Sequence, residues 1–226
     1  MIAIVSLVLL LALVYGPQLW VRWVIKRHHR PMAGMPGTGG ELAQHLIDRF
    51  ELEGVSLVKG ADGEDFYQPA TRTVSLSPDV FDGKSLSAVA IAAHEVGHAI
   101  QFSRREPVSQ LREKYLGKAH RLQQAGIYLM AAMPVAIMVF RLPQAGLLTA
   151  AIGIGTMLIS VLMYVAILPE EYDASFNKAL PILKEGYVPQ EYMPAVKRVL
   201  RAAALTYVAA ALADILRLWR WLAILR

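Results

Sequence analysis

Residues 89–102, VAIAAHEVGHAIQF, carry two histidines and a glutamate at a spacing that can bind a metal ion. His94 and His98 are four residues apart, so on a helix they share one face and both imidazoles can reach one zinc ion at about 2.0 to 2.1 Å. Glu95 follows the first histidine and can act as general base toward a water molecule at the open position of the metal. The spacing therefore predicts a catalytic zinc site with His94 and His98 as ligands.

The residues around the motif favour a metal site over two unrelated histidines in an apolar helix. Between residues 85 and 102 there is no proline, and Glu95 is the only residue of the Asp, Glu, Lys and Arg types. Burying two histidines and a glutamate in such a helix would be costly if they had no role. Gly97 in addition leaves room for another element to pack closely against this helix.

A catalytic zinc ion needs a third protein ligand. The chain has no cysteine, so this ligand must be a histidine or a carboxylate. Two apolar runs separate His98 from residues 170 and 171, and an even number of membrane crossings returns the chain to the side of the motif. The number of crossings therefore allows either Glu170 or Glu171 to be the third ligand and does not distinguish between them. The candidates downstream of the motif are Glu106, Glu113, His120, Glu170 and Glu171.

Composition points to a membrane protein. Apolar residues make up 55% of the 226-residue chain, and the mean hydropathy is +0.40, both above the usual range for a soluble domain. The formal net charge is +5, and the basic residues cluster beside apolar segments. This arrangement favours contact with anionic lipid headgroups and excludes nucleic acid as the expected partner.

Four apolar runs are candidate membrane spans. Residues 2–25 are long enough to cross a bilayer, and the basic cluster that follows them predicts a retained anchor with the next segment on the cytoplasmic side. A signal peptide fits poorly, since no basic residues precede the run and no small-residue cleavage site follows it. Residues 125–140 and 145–168, joined by the short RLPQ linker, predict an antiparallel helical hairpin.

The last apolar run, residues 202–225, contains Asp214, Arg217 and Arg220, which an isolated span would tolerate badly. It forms either a fourth span, in which Asp214 and Arg217 pair, or an amphipathic helix in the membrane interface. We favour the span.

The polar region between the first two spans has the pattern of a small α+β domain. Thr38 and Glu41 form a capping-box signature ahead of an amphipathic helix that ends near Gly54. The strand-like segments VSLVK and TRTVSLS then predict a short β-hairpin or meander before the motif helix.

The expected fold is a mainly α membrane protein with a small α+β zincin-like domain and about four transmembrane helices. We divide it into an N-terminal anchor (1–27), a cytoplasmic zincin-like domain (28–122), a transmembrane hairpin (123–168), a segment that returns the third ligand (169–200) and a C-terminal transmembrane or interfacial helix (201–226).

Three segments, AIAAHEVGHAIQ, LPEEYDAS and AALTYVAAAL, resemble the YugP-type neutral zinc metallopeptidases, bacterial membrane proteins related at the motif level to HtpX-like gluzincins. The resemblance covers most of the chain, and the first two segments carry it most strongly. In such gluzincins a glutamate on a later helix is the third ligand. The match therefore implies Glu171, and not Glu170, as the third zinc ligand.

The sequence departs from the gluzincin pattern next to this ligand. Gluzincins commonly have an aspartate four residues after the ligand glutamate, where it orients a metal-binding histidine. Here that position is Ser175, and Asp173 lies only two residues after Glu171. Asp173 reaches the site only if the helix starts late or is distorted, and is otherwise a surface or helix N-terminal acid.

The predicted function is that of a zinc metalloendopeptidase in a bacterial plasma membrane. A zinc ion lowers the pKa of water and polarises the scissile carbonyl, while Glu95 takes the proton and passes it to the leaving amine. Tyr172 and Tyr187 are candidate oxyanion donors, and the TRTVSLS strand, as a sheet edge, is a candidate site for an extended peptide. The alternatives are an intramembrane site-2-type protease and a non-catalytic metal-binding membrane scaffold.

Overall fold

The computed structural model describes residues 2–217 of the chain. Arg220 and the end of the predicted C-terminal span lie outside the described residues, as does the proposed pairing of the Asp214 and Arg217 side chains. Residues 2–217 are mainly helical and include one small sheet, as the sequence predicts. The α-helices are α1 (Ile2–Arg27), α2 (Gly39–Arg49), α3 (Pro78–Phe81), α4 (Leu86–Ser103), α5 (Gln110–Phe140), α6 (Pro143–Tyr172), α7 (Leu180–Ile182), α8 (Met193–Ala204) and α9 (Thr206–Arg217).

Short segments of other helical types connect the later α-helices. Two of them have the wider π-helical turn, and the first begins directly after α6. We call this first segment, Asp173–Ala179, the π-helical segment. The others are the π-helical turn Leu183–Tyr187 and the 3-10 turns Pro107–Ser109 and Gln190–Tyr192.

The first helix of the polar region begins where the sequence predicts it. The Thr38 hydroxyl accepts a hydrogen bond from the backbone N–H of Glu41, and the Glu41 carboxylate accepts one from the backbone N–H of Thr38. This reciprocal pair satisfies two backbone donors that have no partner within the helix. Helix α2 then buries one apolar stripe that includes Leu42, Leu46 and Ile47.

The sheet contains β1 (Ser56–Lys59), β2 (Phe66–Gln68) and β3 (Thr73–Leu76) in the order β1-β3-β2. The predicted hairpin between the VSLVK and TRTVSLS segments is wrong, because the antiparallel partner of β3 is β2, which lies in the segment predicted to be the turn. A meander is wrong, because β1 pairs parallel with β3. The prediction that the TRTVSLS strand forms a sheet edge is also wrong. Val74 and Leu76 of β3 are fully buried, and the strand takes the central position with paired backbone on both sides.

The chain folds into two compact units. One comprises residues 20–110 and 168–205 and contains the motif helix. Within it, α4 packs against α2, α3, α8, β2, β3 and the π-helical segment. Ser85 begins α4 with a side-chain oxygen that accepts a hydrogen bond from the backbone N–H of Ala88. Sixteen of the eighteen α4 residues are buried, so this helix is the core of its unit.

The other unit contains, within the described part of the chain, residues 2–19, 111–167 and 206–217. In its described part, α5 and α6 pack through facing glycines, since a Cβ added at Gly126 would lie 2.8 Å from the carbonyl oxygen of Gly153. The rings of Tyr164 and Tyr207, also in this unit, stack with their centroids 6.1 Å apart. Among the described residues, two continuous helical stretches are long and apolar enough to cross a membrane, Pro107–Phe140 and Pro143–Tyr187.

Candidate metal centre

Helix α4 and the end of α6 bring three predicted ligands together. The Nε2 atoms of His94 and His98 are 3.3 Å apart. An Oε2 atom of Glu171 lies 3.3 Å from the first nitrogen and 3.2 Å from the second. All three residues are at most 3% exposed, so three atoms that can donate lone pairs meet in a buried space.

The size of this triangle matches a zinc site. Ligand atoms at about 2.0 to 2.1 Å from a tetrahedral zinc ion are about 3.3 to 3.4 Å from one another. The three separations measured here, 3.3, 3.3 and 3.2 Å, are close to that length. Two imidazoles and one carboxylate are also a common donor set for catalytic zinc, which leaves a fourth position open. The residues present therefore fit one zinc ion.

Ser175 contacts the outer nitrogen of His94. Its Oγ is 3.0 Å from His94 Nδ1 and 3.1 Å from the backbone carbonyl oxygen of Leu200 in α8. The carbonyl oxygen can only accept, so the serine hydroxyl donates to it and accepts from the N–H at Nδ1. In the neutral imidazole, this arrangement leaves Nε2 of His94 without a proton and directed toward Glu171. The serine at the position where gluzincins commonly have an aspartate therefore also contacts a histidine of the motif.

Asp173 reaches the neighbourhood of the site through another side chain. Its Oδ2 accepts a hydrogen bond of 2.8 Å from the side-chain amide of Gln101, and Gln101 Oε1 lies 3.0 Å from Nδ1 of His98. The helix is distorted at this point, because the π-helical segment begins at Asp173. Sequence reasoning missed Gln101. Its signal was an amide three residues after His98, in a helix with few polar residues outside the motif.

The remaining candidates for the third ligand occupy other positions. Glu170 is buried and places Oε1 3.9 Å from Nδ1 of His98, the nitrogen that faces away from Glu171. Glu106 forms an ion pair of 2.9 Å with Lys178. Glu113 and His120 belong to α5, in the other compact unit. Among the five candidates named from sequence, Glu171 is the one grouped with both histidines.

Glu95 lies in the same turn of α4 as His94 and is 7% exposed. Its charge acts on Asp65, in the loop between β1 and β2. Burial raises the pKa of Asp65, hydrogen bonds from the backbone N–H and the hydroxyl of Ser77 oppose that shift, and the negative charges of Glu95 and Asp79 add to it.

The two tyrosines named as oxyanion donors differ in their surroundings. The side chain of Tyr172 is 58% exposed and packs on Phe176, with ring centroids 4.4 Å apart. The ring of Tyr187 lies 5.7 Å from the ring of His45 in α2. These surroundings favour neither tyrosine as the oxyanion donor.

Comparison with known proteins identifies the family of this chain. A protein family described as "Putative neutral zinc metallopeptidase" matches residues 2–226. The chain belongs to this family. It is also 33% identical over 220 residues to the "Putative membrane protease YugP" of Bacillus subtilis strain 168, covering 92% of each chain. No solved structure matches.

Membership of a zinc peptidase family agrees with the buried ligand group. The resemblance noted from the sequence motifs is confirmed, and so is the prediction of one zinc ion as cofactor. A peptidase acts on proteins or peptides, and the name of the relative together with two apolar helices indicates association with a membrane.

Proposed function

We propose that this protein is a membrane-bound zinc metalloendopeptidase in which His94, His98 and Glu171 hold the metal and Glu95 is the catalytic base. The observation that carries the proposal is the buried triangle of two imidazole nitrogens and one carboxylate oxygen, with sides of 3.2 to 3.3 Å. A zinc ion bound there supplies Lewis acidity, which lowers the pKa of a water molecule and polarises a peptide carbonyl.

The protein side chains move the proton. Glu95 accepts a proton from the attacking water, whose oxygen forms a bond to the carbonyl carbon of the substrate. When the carbon–nitrogen bond breaks, Glu95 donates the same proton to the leaving amine. Ser175 and Gln101 hold the imidazoles in place during both steps. No nucleophilic side chain is required, which agrees with a chain that has no cysteine.

The surroundings of α4 support a zincin-like catalytic domain. The motif helix packs on a three-stranded sheet and on α2 within one compact unit. This packing favours a domain next to the membrane over the alternative of a site-2-type protease with its motif inside a span. We further propose about four spans, formed by the N-terminal run, α5, α6 and the C-terminal run, with the catalytic domain in the cytoplasm.

The test is metal content and proteolysis of the detergent-purified protein. Wild type is expected to bind about one zinc ion and to degrade casein. Glu171→Gln should lose both zinc and activity, whereas Glu95→Gln should keep zinc and lose activity. Glu113→Gln, an exposed glutamate of α5, is the matched control and should behave like wild type.

Two outcomes would contradict the proposal. If folded wild type binds no zinc, the metal site is wrong. If wild type and Glu95→Gln both bind zinc and share the same proteolytic background, the chain is the non-catalytic metal-binding scaffold.

A further inference from the structure

Gln101 is the buried polar residue of α4 that follows the metal-binding motif. It is fully buried, and its side-chain amide has three partners. Nε2 lies 3.0 Å from the backbone carbonyl oxygen of Glu170 and 2.8 Å from Oδ2 of Asp173, while Oε1 lies 3.0 Å from Nδ1 of His98. An amide that is buried with three hydrogen bonds has no freedom to rotate without losing some of them.

These partners determine which way the amide faces. The carbonyl oxygen of Glu170 and the carboxylate of Asp173 are acceptors, so the NH₂ group must face them. The amide oxygen then faces His98 and can only accept. His98 must therefore carry its proton at Nδ1, which leaves the lone pair of Nε2 pointing toward His94 and Glu171.

Asp173 is itself held in place. Its Oδ1 accepts a hydrogen bond of 2.6 Å from the side chain of Asn177, and its Oδ2 is 3.3 Å from Nζ of Lys178. The same ammonium group lies 2.9 Å from Glu106, just after α4. This network joins the end of α4 to the π-helical segment, and Asp173 cannot leave Gln101 without disturbing it.

We propose that Gln101 is a positioning residue that fixes the ring orientation and tautomer of His98, and that Asp173 acts on His98 through Gln101. The inference rests on the proposed function, since it assigns His98 as a zinc ligand through Nε2. It adds that the Asp173 carboxylate orients the His98 imidazole through the Gln101 amide, without contacting the imidazole itself. We call this arrangement the amide relay.

The first measurement is zinc affinity, by competition with a chromophoric chelator. Gln101→Met keeps the length of the side chain and removes its hydrogen bonds, and loss of such a partner typically weakens metal binding about 10- to 100-fold. Gln44→Met is the matched control, because Gln44 also donates to an aspartate, Asp48, at 2.9 Å but does so on the exposed face of α2. It should keep the affinity of wild type.

A pair of substitutions tests the relay itself. Gln101→Glu alone should weaken zinc binding, because it places a second carboxylate against Asp173. Adding Asp173→Asn restores a donor opposite that carboxylate, so the double variant should recover part of the loss. If Gln101→Glu and Asp173→Asn instead change the affinity independently, Asp173 does not act through Gln101.

The second measurement reports the tautomer without requiring metal. The method is NMR of protein labelled with ¹⁵N-histidine, in which only six imidazoles have to be assigned. In wild type, the proton at Nδ1 of His98 should be visible and slow to exchange with water, with and without zinc. In Gln101→Met it should exchange faster, because its acceptor is lost, and in Gln44→Met it should be unchanged.

The outcomes separate the two proposals. If wild type binds no zinc, the proposed function fails, and the exchange of the His98 proton still decides whether Gln101 holds the ring. Equal exchange rates and equal zinc affinities in Gln101→Met and Gln44→Met would overturn the positioning role.

Discussion

The two predicted metal-binding imidazoles are each contacted at the outer nitrogen by a neutral side chain, Ser175 for His94 and Gln101 for His98. The sequence pointed to His94, His98 and Glu95 by spacing alone, but it left Glu170 and Glu171 equivalent until the family resemblance was considered. The contact of Ser175 could not be predicted, since a hydrogen bond between residues 81 positions apart depends on how α4 meets the π-helical segment. The contact of Gln101 is local, three residues along α4, and was missed.

Ser175→Ala tests the contact to His94. The variant removes the acceptor for the N–H at Nδ1, and we expect zinc affinity to fall by about tenfold or more. The control is Ser160→Ala, since Ser160 is also a buried serine whose hydroxyl donates to a backbone carbonyl, that of Met157 in α6. Chelator competition on both variants measures the effect, and equal affinities would show that the serine does not orient His94.

Asp65 predicts a dependence of stability on pH. Burial and the charge of Glu95 raise its pKa, although hydrogen bonds from Ser77 oppose them. A carboxyl group whose pKa is higher in the folded state gives a stabilising contribution that is full below its unfolded pKa, about 3.8, and is lost as pH rises through its folded pKa. Asp65→Asn removes this titration. The variant should therefore gain stability relative to wild type as pH is raised from 4 to 7.

Thermal unfolding at a series of pH values measures that difference. Asp62→Asn, an exposed position in the same loop, should show no comparable trend. A difference between Asp65→Asn and wild type that is constant with pH would contradict the assigned shift in the pKa of Asp65.

At the scale of elements, the approach of α4 to the π-helical segment sets the distance between the histidines and Glu171. The two backbones meet at Gly97, where an added Cβ would lie 2.8 Å from the carbonyl oxygen of Ala174. Such a contact forces the elements apart. The sequence indicates close packing at Gly97, and the structure shows that the backbone at Ala174 packs there.

Gly97→Ala should accordingly lower stability by about 1 to 3 kcal/mol and weaken zinc binding as well. Gly117→Ala provides the control, because Gly117 lies in α5 with nothing within 4 Å of the added Cβ. That substitution should leave zinc binding unchanged and shift stability by no more than about 1 kcal/mol, in the favourable direction. Unfolding and metal content are measured for both variants. If Gly97→Ala and Gly117→Ala change stability and zinc content alike, the close approach at Gly97 does not set the distance between the ligands.

Local signals predicted the helices better than the sheet. The capping box at Thr38 and Glu41 is a contact over three residues, so its pattern is visible in the sequence. The position of β3 between β1 and β2 depends on pairing with β1 across a loop and another strand, which no local pattern encodes. The π-helical turn at Asp173 likewise has no local sequence signal, and it is there that Asp173 meets Gln101.

At the scale of the whole molecule, the proposed site requires that the chain cross the membrane an even number of times between His98 and Glu171. Helices α5 and α6 lie between these residues, and both belong to stretches apolar enough to span. Either both helices cross or neither does, because a single crossing would place His98 and Glu171 on opposite sides of the membrane.

Single-cysteine labelling tests this topology, since the natural chain contains no cysteine and is itself the blank. Asp62→Cys and Glu191→Cys mark exposed positions before α5 and after α6, and Gln144→Cys marks an exposed position at the start of α6. With the catalytic domain in the cytoplasm, an impermeant maleimide should label Gln144→Cys in intact cells and the other two only after lysis. If Asp62→Cys and Glu191→Cys are labelled in intact cells and Gln144→Cys only after lysis, the catalytic domain faces outward. The proposed site is still possible in that orientation. Opposite accessibility of Asp62→Cys and Glu191→Cys would place the halves of the site on different sides, which a site formed by His98 and Glu171 does not allow.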